Sequence, residues 1–196
     1  MDITISGQPT TAAAGDDQSL CNLTPPYYIP LSANTPVTGH GTGTWSIISK
    51  PALDAGAFSN VHNPSATYGP AVGGLYIFDW TITDGTCSSS DQVRVNLYNP
   101  PSTSDAGSDQ TVCGTQATMA ANLPVYGIGA WTMVSGPGTA IFTSLILPNT
   151  TVNVSVEGTY VFRWTITNGV DCTPSTSTVT IYFHACLLYT SDAADE

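Results

Sequence analysis

Alternation of apolar and polar residues with a period of two is the main signal along the chain. From Tyr160 onward, the apolar residues Tyr160, Phe162, Trp164 and Ile166 fall on every second position, as a strand with one buried face requires. An earlier segment repeats this face with the same spacing: Tyr76, Phe78, Trp80 and Ile82. We therefore predict two long strands whose aromatic residues lie in a core.

Shorter alternating runs surround these two strands. Valine, isoleucine, leucine and phenylalanine recur at every second position within 93–97, 152–156 and 179–183. Gly, Pro, Asn and Asp separate the runs at intervals of roughly ten residues, which is typical of sandwiches of short antiparallel strands. Since no stretch sustains a period of 3.6 residues, the pattern predicts an all-β chain.

One unit occurs twice in the chain. The segment AGDDQSLC at Ala14–Cys21 returns as AGSDQTVC at Ala106–Cys113. The longest match follows later in each copy, where the segment 74–85 returns as 158–169. Three further residues recur between these matches: Gly43, Trp45 and Phe58 return as Gly129, Trp131 and Phe142. Internal similarity of this kind predicts tandem copies of one folding unit.

The repeat gives a division of the chain. We predict two tandem antiparallel β-sandwiches, at residues 11–99 and 100–185, each with about seven strands. Residues 1–10 are similar to the end of a repeat, and we predict that they are the last strand and linker of a preceding copy. Trp45 and Trp131, which open a strand in each repeat, are expected in the core with Tyr76, Trp80, Tyr160 and Trp164.

The composition excludes two classes of partner. Only 9% of the residues are charged, 48 are Ser or Thr, and the net charge is -11. A chain with three Lys and Arg residues lacks the positive surface that nucleic acid or anionic lipid requires. No apolar run approaches the roughly 20 residues of a membrane-spanning helix, so we expect no nucleic-acid partner and no membrane insertion.

Each repeat contains two cysteines at matching positions. We predict the pairs Cys21–Cys87 and Cys113–Cys172, each worth about 4 kcal/mol in the chain-entropy model. Disulfides persist in oxidising compartments, so the protein is predicted to be exported. A zinc site is the alternative, but the C-x2-C spacing that brings two ligands together is missing.

The last eleven residues, CLLYTSDAADE at 186–196, interrupt the β pattern. They resemble the in-frame translation of a sequencing adapter. We therefore treat this segment as a non-native scar, together with the odd cysteine that it contains, Cys186.

The ordered motifs A-G-x-D-Q-x-x-C, G-x-G-x-W and G-x-Y-x-F-x-W-T-I-T-[DN]-G resemble the PKD-like and immunoglobulin-like repeats of very large secreted and surface proteins of Bacteroidetes. The resemblance covers residues 11–184. It implies that the chain forms two tandem immunoglobulin-like (PKD-like) antiparallel β-sandwiches and that they act as a stalk or adhesive module on the cell surface. The W-D-F-G-D-G motif of typical PKD domains is missing, so the choice between the two repeat labels stays open.

Candidate catalytic residues are few. His40 and His62 occur only in the first repeat, where the matching positions of the second carry Tyr126 and Ile146, and His184 ends the last strand. No G-x-S-x-G motif accompanies them. We predict that the protein is not an enzyme and has no catalytic residue.

Carboxylates and tryptophans leave two binding alternatives. Calcium prefers several hard oxygen ligands, and seven acidic residues lie near the predicted loops: Asp16, Asp17, Asp84, Asp91, Asp105, Asp109 and Asp171. The calcium-loop motif is missing, and Asp beside Gly is ordinary in turns, so we expect neither metal nor cofactor, with calcium as the alternative. The four tryptophans could stack on sugars, but their recurrence on apolar faces favours the core.

These observations predict a non-catalytic extracellular repeat module that acts as a stalk, spacer or adhesive segment of a large bacterial surface protein. Its expected partners are neighbouring repeats of the same chain, and surface glycans or proteins. The alternative is a carbohydrate- or protein-binding accessory module of a secreted hydrolase.

Overall fold

The computed structural model describes residues 8–21 and 26–186. Most of the strand predicted at residues 1–10 and most of the segment 186–196 therefore lie outside the described residues. The chain forms two compact units. The first runs to Pro100 and also includes Gly169–Cys172, and the second contains Pro101–Asn168 and the chain from Thr173 onward. The segment Gly169–Cys172, predicted within the second repeat, thus belongs structurally to the first unit.

The first unit contains two sheets. Its strands are β1 Gln18–Cys21, β2 Tyr27–Pro30, β3 Thr42–Ser49, β4 Ala57–Phe58, β5 Thr67–Ala71, β6 Gly74–Asp84 and β7 Cys87–Tyr98. One sheet has the order β1-β7-β6-β3 and the other has the order β2-β5-β4.

The second unit repeats this arrangement. Its strands are β8 Gln110–Cys113, β9 Gln116–Thr118, β10 Ile128–Ser135, β11 Ala140–Phe142, β12 Thr151–Val154, β13 Gly158–Thr167 and β14 Ser175–His184. The sheet orders are β10-β13-β14-β8 and β11-β12-β9. Val156, which the alternating pattern placed in a strand, lies beyond the end of β12 and is exposed, because the chain turns before Gly158.

Each pair of sheets encloses its own core. In the first unit, the aromatic face of β6 packs against the smaller sheet, with the Tyr68 and Phe78 ring centroids 5.0 Å apart. In the second, Phe142 of β11 meets Phe162 of β13 at 5.4 Å. Burial of a large apolar side chain stabilises a fold by about 1.5–3 kcal/mol, so these two faces supply much of the driving force for folding.

The first and last strands of each unit pair in parallel. β1 lies beside β7 with Gln18 opposite Val95 and Cys21 opposite Tyr98. β8 lies beside β14 in the same register, with Cys113 opposite His184. The predicted antiparallel sandwiches are therefore mixed: every other strand pair in the described sheets is antiparallel, and the terminal pair is not.

A tryptophan lies against a glycine in each large sheet. Trp80 of β6 is opposite Trp45, and a Cβ atom built on Gly43 would overlap the Trp80 indole ring. Gly129 stands in the same relation to Trp164. This close approach explains why glycine precedes the β3 and β10 tryptophans in both repeats.

We predict that Gly43→Ala lowers the free energy of unfolding by about 2–3 kcal/mol, because overpacking forces the indole out of its position. Urea denaturation followed by tryptophan fluorescence measures the effect. Thr42→Ala, at an exposed position of the same strand, is the control and is expected to cost less than about 1 kcal/mol. Equal losses in both variants would contradict the proposed role of the glycine.

Candidate functional site: the cysteines at the ends of the sheets

The recurring A-G-x-D-Q-x-x-C motif anchors the first strand of each unit. The Asp17 carboxylate accepts a hydrogen bond from the Arg94 backbone N–H at 2.8 Å, which holds β1 beside β7. The Gln18 side chain donates to the Pro30 carbonyl at 3.1 Å and so links the two sheets. The second unit repeats both contacts, through Asp109 to Thr180 at 2.7 Å and Gln110 to Thr118 at 3.1 Å. The motif thus positions the cysteine that ends it.

The structure pairs the cysteines differently from the prediction. Cys21 forms a disulfide with Cys172, and Cys113 forms one with Cys186. Cys87 is exposed, and it is the free cysteine of the described chain. The predicted pairs Cys21–Cys87 and Cys113–Cys172 are therefore wrong, and Cys186, assigned to a non-native scar, is bonded to the second repeat.

Parallel pairing of the terminal strands explains this difference. Cys21 lies opposite Tyr98 near the end of β7, whereas Cys87 is the first residue of β7. Eleven residues of strand separate these positions, or about 36 Å at ~3.3 Å per residue. A disulfide needs Cα atoms about 4.4–6.8 Å apart. The two predicted partners therefore lie at opposite ends of one sheet.

The same argument applies to the second unit. Cys113 lies opposite His184 at the end of β14, and Cys172 precedes the start of β14 at Ser175. The matching spacing in the two repeats correctly marked equivalent positions. It carried no information on which end of the sheet each position occupies.

The segment Gly169–Cys172 packs onto the end of β7. Gly169 has a φ of +70°, and a Cβ atom there would meet the Tyr98 ring. The buried Cys172 sulfur lies 3.5 Å from the Asn99 carbonyl oxygen, and its Cα atom is 5.0 Å from that of Cys21. The disulfide thus closes a loop with a sequence separation of 151 residues.

The aromatic residues that were candidates for sugar stacking lie inside the sandwiches. All six are at most 2% exposed: Trp45, Tyr76, Trp80, Trp131, Tyr160 and Trp164. The Trp45 and Trp80 ring centroids are 5.0 Å apart, and the Trp131 and Trp164 centroids have the same separation. Their faces contact other core residues, so they form no exposed platform.

Several candidate calcium ligands bind backbone amides instead. Besides Asp17 and Asp109, Asp91 accepts from the Ala14 N–H at 2.8 Å, and Asp105 accepts from the Gly107 N–H at 2.9 Å. Residues 8–21 and 26–186 contain no group of three or more His, Cys, Asp or Glu side chains arranged to hold a metal. The sequence clusters are thus distributed along strand edges and turns.

The histidines lie at separate places. His40 Nδ1 is 3.3 Å from the Gln8 carbonyl oxygen, and His62 Nδ1 is 3.0 Å from the Gly43 carbonyl oxygen. His184 stacks on Tyr182. Each ring therefore has a local backbone or aromatic neighbour, and the fold does not bring the three together.

The first unit contains a buried carboxylate that was not predicted from the sequence. Asp54 accepts hydrogen bonds from the Tyr68 and Tyr76 hydroxyl groups, the latter at 2.9 Å, and forms an ion pair with Lys50 at 3.3 Å. The Gly56 N–H also donates to it, at 3.2 Å.

Hydrogen bonding determines the charge state of this cluster. Burial by itself raises the pKa of Asp54, but the bonds from Tyr68, Tyr76 and Lys50 outweigh it, and the pKa lies below its ordinary value. Burial, together with the carboxylate, raises the pKa of Tyr76 to about 12 and that of Tyr68 still further. The cluster is thus an ionised carboxylate held by two neutral phenols and a lysine.

The second unit lacks this cluster. Val152 occupies the register position of Tyr68, and the loop from Pro137 to Phe142 is two residues shorter than the loop that carries Asp54. The Tyr160 hydroxyl donates to the Val156 carbonyl at 2.9 Å, and the Tyr76 hydroxyl lies 2.8 Å from the matching Val72 carbonyl, so the contact with a carboxylate is what the first unit adds. A lone Asp in a loop gives no sequence signal. The sequence signals that could have indicated this cluster are the longer loop and the additional Tyr of the first repeat.

Comparisons with known proteins support the fold. No protein-family model matches the chain, and no curated protein sequence matches it. Among solved structures, extracellular domains 3–5 of Drosophila OTK are 10% identical over 93% of this chain and 63% of that chain, with a TM-score of 0.57. Sidekick-1 immunoglobulin domains 1–4 are 11% identical over 94% and 51% of the two chains, with a TM-score of 0.56.

A PKD domain from human KIAA0319 is 23% identical over 47% of this chain and 83% of that domain, with a TM-score of 0.40. The two longer matches show that the chain is a tandem of immunoglobulin-like β-sandwiches. The chain spans 63% and 51% of the length of those two structures.

We predict that Cys172→Ser lowers the free energy of unfolding by about 2–5 kcal/mol, because the unfolded chain regains the freedom of a long loop. Chemical denaturation measures the change, and mass spectrometry of non-reduced peptides checks the Cys21–Cys172 link. Cys87→Ser is the control and should leave stability within about 0.5 kcal/mol of the parent. A Cys21–Cys87 linked peptide would contradict the assigned pairing.

We predict that Asp54→Asn destabilises the first unit by about 2 kcal/mol at pH 7, because hydrogen bonds to a charged group are lost. The pKa of Asp54 is lowered on folding. Its ionised form therefore stabilises the fold above about pH 4, and this contribution disappears as the pH falls through the lowered folded value.

The measurement is the difference in unfolding free energy between the parent and Asp54→Asn from pH 7 to pH 2. It should shrink below about pH 4. The exposed Asp16→Asn variant is the control. A difference that stays constant across this range would show that the Asp54 charge is not involved.

Proposed function

We propose that the chain is a non-catalytic extracellular spacer in a tandem array of immunoglobulin-like repeats. The observation that carries this proposal is the parallel pairing of the first and last strand in both units. A spacer must transmit tension between its two ends. Two features determine how this chain would carry tension: the arrangement of the terminal strands and the disulfides.

Parallel terminal strands resist an end-to-end pull. When the Cys21–Cys172 disulfide is reduced, tension enters β1 at Gln18 and leaves β7 beyond Tyr98, so it draws the two strands in opposite directions along their shared axis. The register from Gln18–Val95 to Cys21–Tyr98 is then loaded all at once. An antiparallel pair would instead be opened one hydrogen bond at a time from its end.

The Cys21–Cys172 disulfide shortens the covalent path between the chain ends. Tension that reaches Cys21 crosses directly to Cys172 and continues into β14. Residues 22–171 lie outside this path. At roughly 3.4 Å per residue, about 500 Å of chain is therefore withheld from extension.

The Cys21–Cys172 disulfide supports the extracellular placement that we propose, because such bonds persist in oxidising compartments. In the described part of the chain, no helix has the length and apolar character needed to cross a membrane. The similar domains of OTK are named as extracellular, which is a precedent for this setting. We also propose that the chain is part of a large surface protein of the kind found in Bacteroidetes, whose repeats it resembles. The same proposal treats residues 186–196 as a non-native scar.

The proposal includes neither a reaction nor a cofactor. The histidines have separate local neighbours, and four of the candidate calcium ligands already accept backbone hydrogen bonds. The remaining carboxylates do not cluster in the described residues. These contacts favour a structural module over an enzyme or a calcium-dependent one.

One feature favours an adhesive role as a second candidate. Leu145, Ile146 and Leu147 form an apolar loop in the second unit and are 55%, 63% and 53% exposed. A contiguous exposed apolar patch is typical of an interaction surface. Surface proteins or glycans, or the substrate of a neighbouring hydrolase domain, are the partners of this alternative.

We predict that the oxidised protein, pulled by its ends in a single-molecule force experiment, does not release the first unit. Cys172→Ser should add an extension step of about 270 Å, because about 80 residues of the first unit unfold into the force path at ~3.4 Å each while the Cys113–Cys186 bond still spans the second unit. The Cys87→Ser variant is the control and should give the trace of the parent. The same long step in the oxidised parent would overturn the spacer proposal.

A further inference from the structure

The repeat cysteines fall into two structural classes. Cys21 and Cys113 end the first strand of their units, and we call them strand cysteines. Cys87 and Cys172 follow the tryptophan-bearing strands β6 and β13, and we call them hairpin cysteines. A strand cysteine and a hairpin cysteine form the Cys21–Cys172 bond. Cys87 is the hairpin cysteine that stays unpaired in the described chain.

We infer that Cys87 is a linking site for the strand cysteine of another copy of this repeat. Successive repeats would then be joined by one disulfide each, from the strand cysteine of one repeat to the hairpin cysteine of the next. The inference rests on the proposed tandem-array function for the identity of the partner. Its chemistry depends only on the two cysteine classes.

The Cys21–Cys172 bond supplies the precedent. Cys172 occupies in the second repeat the place that Cys87 occupies in the first, since each follows a left-handed glycine by two or three residues. These glycines, Gly85 and Gly169, have φ values of +59° and +70°. The equivalent position is therefore already bonded to a strand cysteine elsewhere in the molecule.

The fold leaves Cys87 no partner within its own repeat. The strand cysteine of that repeat, Cys21, lies about 36 Å away along β7 by the strand rise, and it is already bonded to Cys172. Cys87 pairs in the ladder with Asp84 at the tip of the β6–β7 hairpin, where its thiol is exposed. It is therefore accessible to a second molecule.

The complementary strand cysteine is Cys113. It lies opposite His184 as Cys21 lies opposite Tyr98, and the same Asp and Gln contacts hold its strand. In this chain Cys186, two residues beyond β14, bonds to it. Removal of Cys186 should therefore expose an acceptor for Cys87 of another molecule.

The linking step is thiol–disulfide exchange. The Cys87 thiolate attacks a disulfide between Cys113 and glutathione, the sulfur–sulfur bond to glutathione breaks, and reduced glutathione leaves with a proton. Overall, two protein thiols are oxidised while one oxidised glutathione is reduced to two thiols. Because the contact is head-to-tail, repeated linking gives open chains rather than closed dimers.

The experiment uses two full-length variants that each retain one reactive thiol. The hairpin variant carries Cys113→Ser and Cys186→Ser and keeps Cys87. The strand variant carries Cys87→Ser and Cys186→Ser and keeps Cys113. Both keep the Cys21–Cys172 bond, and near-UV circular dichroism checks that each is folded before they are mixed in a glutathione redox buffer.

We expect the mixed dimer, with a Cys87–Cys113 linked peptide, to exceed either homodimer by about tenfold at exchange equilibrium. Statistical amounts of mixed dimer and homodimers would overturn the inference, as would capture of both thiols by glutathione without dimers. The single variant Cys186→Ser gives a second readout, since it should form a ladder of head-to-tail oligomers on non-reducing gels.

A failure here differs from a failure of the spacer proposal. The force measurement reports on the Cys21–Cys172 bond, which both variants retain. Statistical pairing with an unchanged force trace would remove the linking site alone. A long extension step in the oxidised parent would show that the Cys21–Cys172 bond does not form, which rejects the mechanical role and also removes the precedent for the linking site.

Discussion

Parallel pairing of the first and last strands is the constraint on which the other features of each unit depend. It requires β1 to lie beside the C-terminal end of β7. The A-G-x-D-Q-x-x-C motif must therefore turn the chain before β1, fix the register of β1 and form a bond to the other sheet. Asp17 and Gln18 perform the last two tasks through bonds to Arg94 and Pro30. The same pairing sends the strand cysteine to one end of the sheet and leaves the hairpin cysteine at the other.

The two units share the contacts that this constraint requires and differ where the core permits it. Both keep the tryptophan pair with centroids 5.0 Å apart and the glycine beneath it. The polar cluster around Asp54 exists only in the first unit, where a loop two residues longer brings the carboxylate to Tyr68 and Tyr76. In the second unit Val152 fills the corresponding position with an apolar side chain, so the phenol–carboxylate cluster is a local addition to a shared fold.

The alternation of apolar residues predicted the long strands, because burial of one face leaves a period of two in the sequence. The predicted faces of β6 and β13 are the ones that lie in the cores. The same period contains no information on the direction of a neighbouring strand, so the parallel edge and the cysteine pairing that depends on it could not be obtained from it. Asp54 was not predicted for a related reason: its two tyrosine partners are 14 and 22 residues away and meet it only through tertiary packing.

Stability alone does not explain why the cysteines pair as they do. In the chain-entropy model, closing a loop of 151 residues rather than the 66 between Cys21 and Cys87 adds less than about 1 kcal/mol. Each sandwich already has its own buried core, so a bond within one repeat would reinforce what packing supplies. A bond from Cys21 to Cys172 instead changes which residues carry tension between the chain ends. The pairing therefore follows from the direction of β1 beside β7, which puts Cys21 and Cys87 at opposite ends of one sheet, and the resulting bond is compatible with the proposed spacer role.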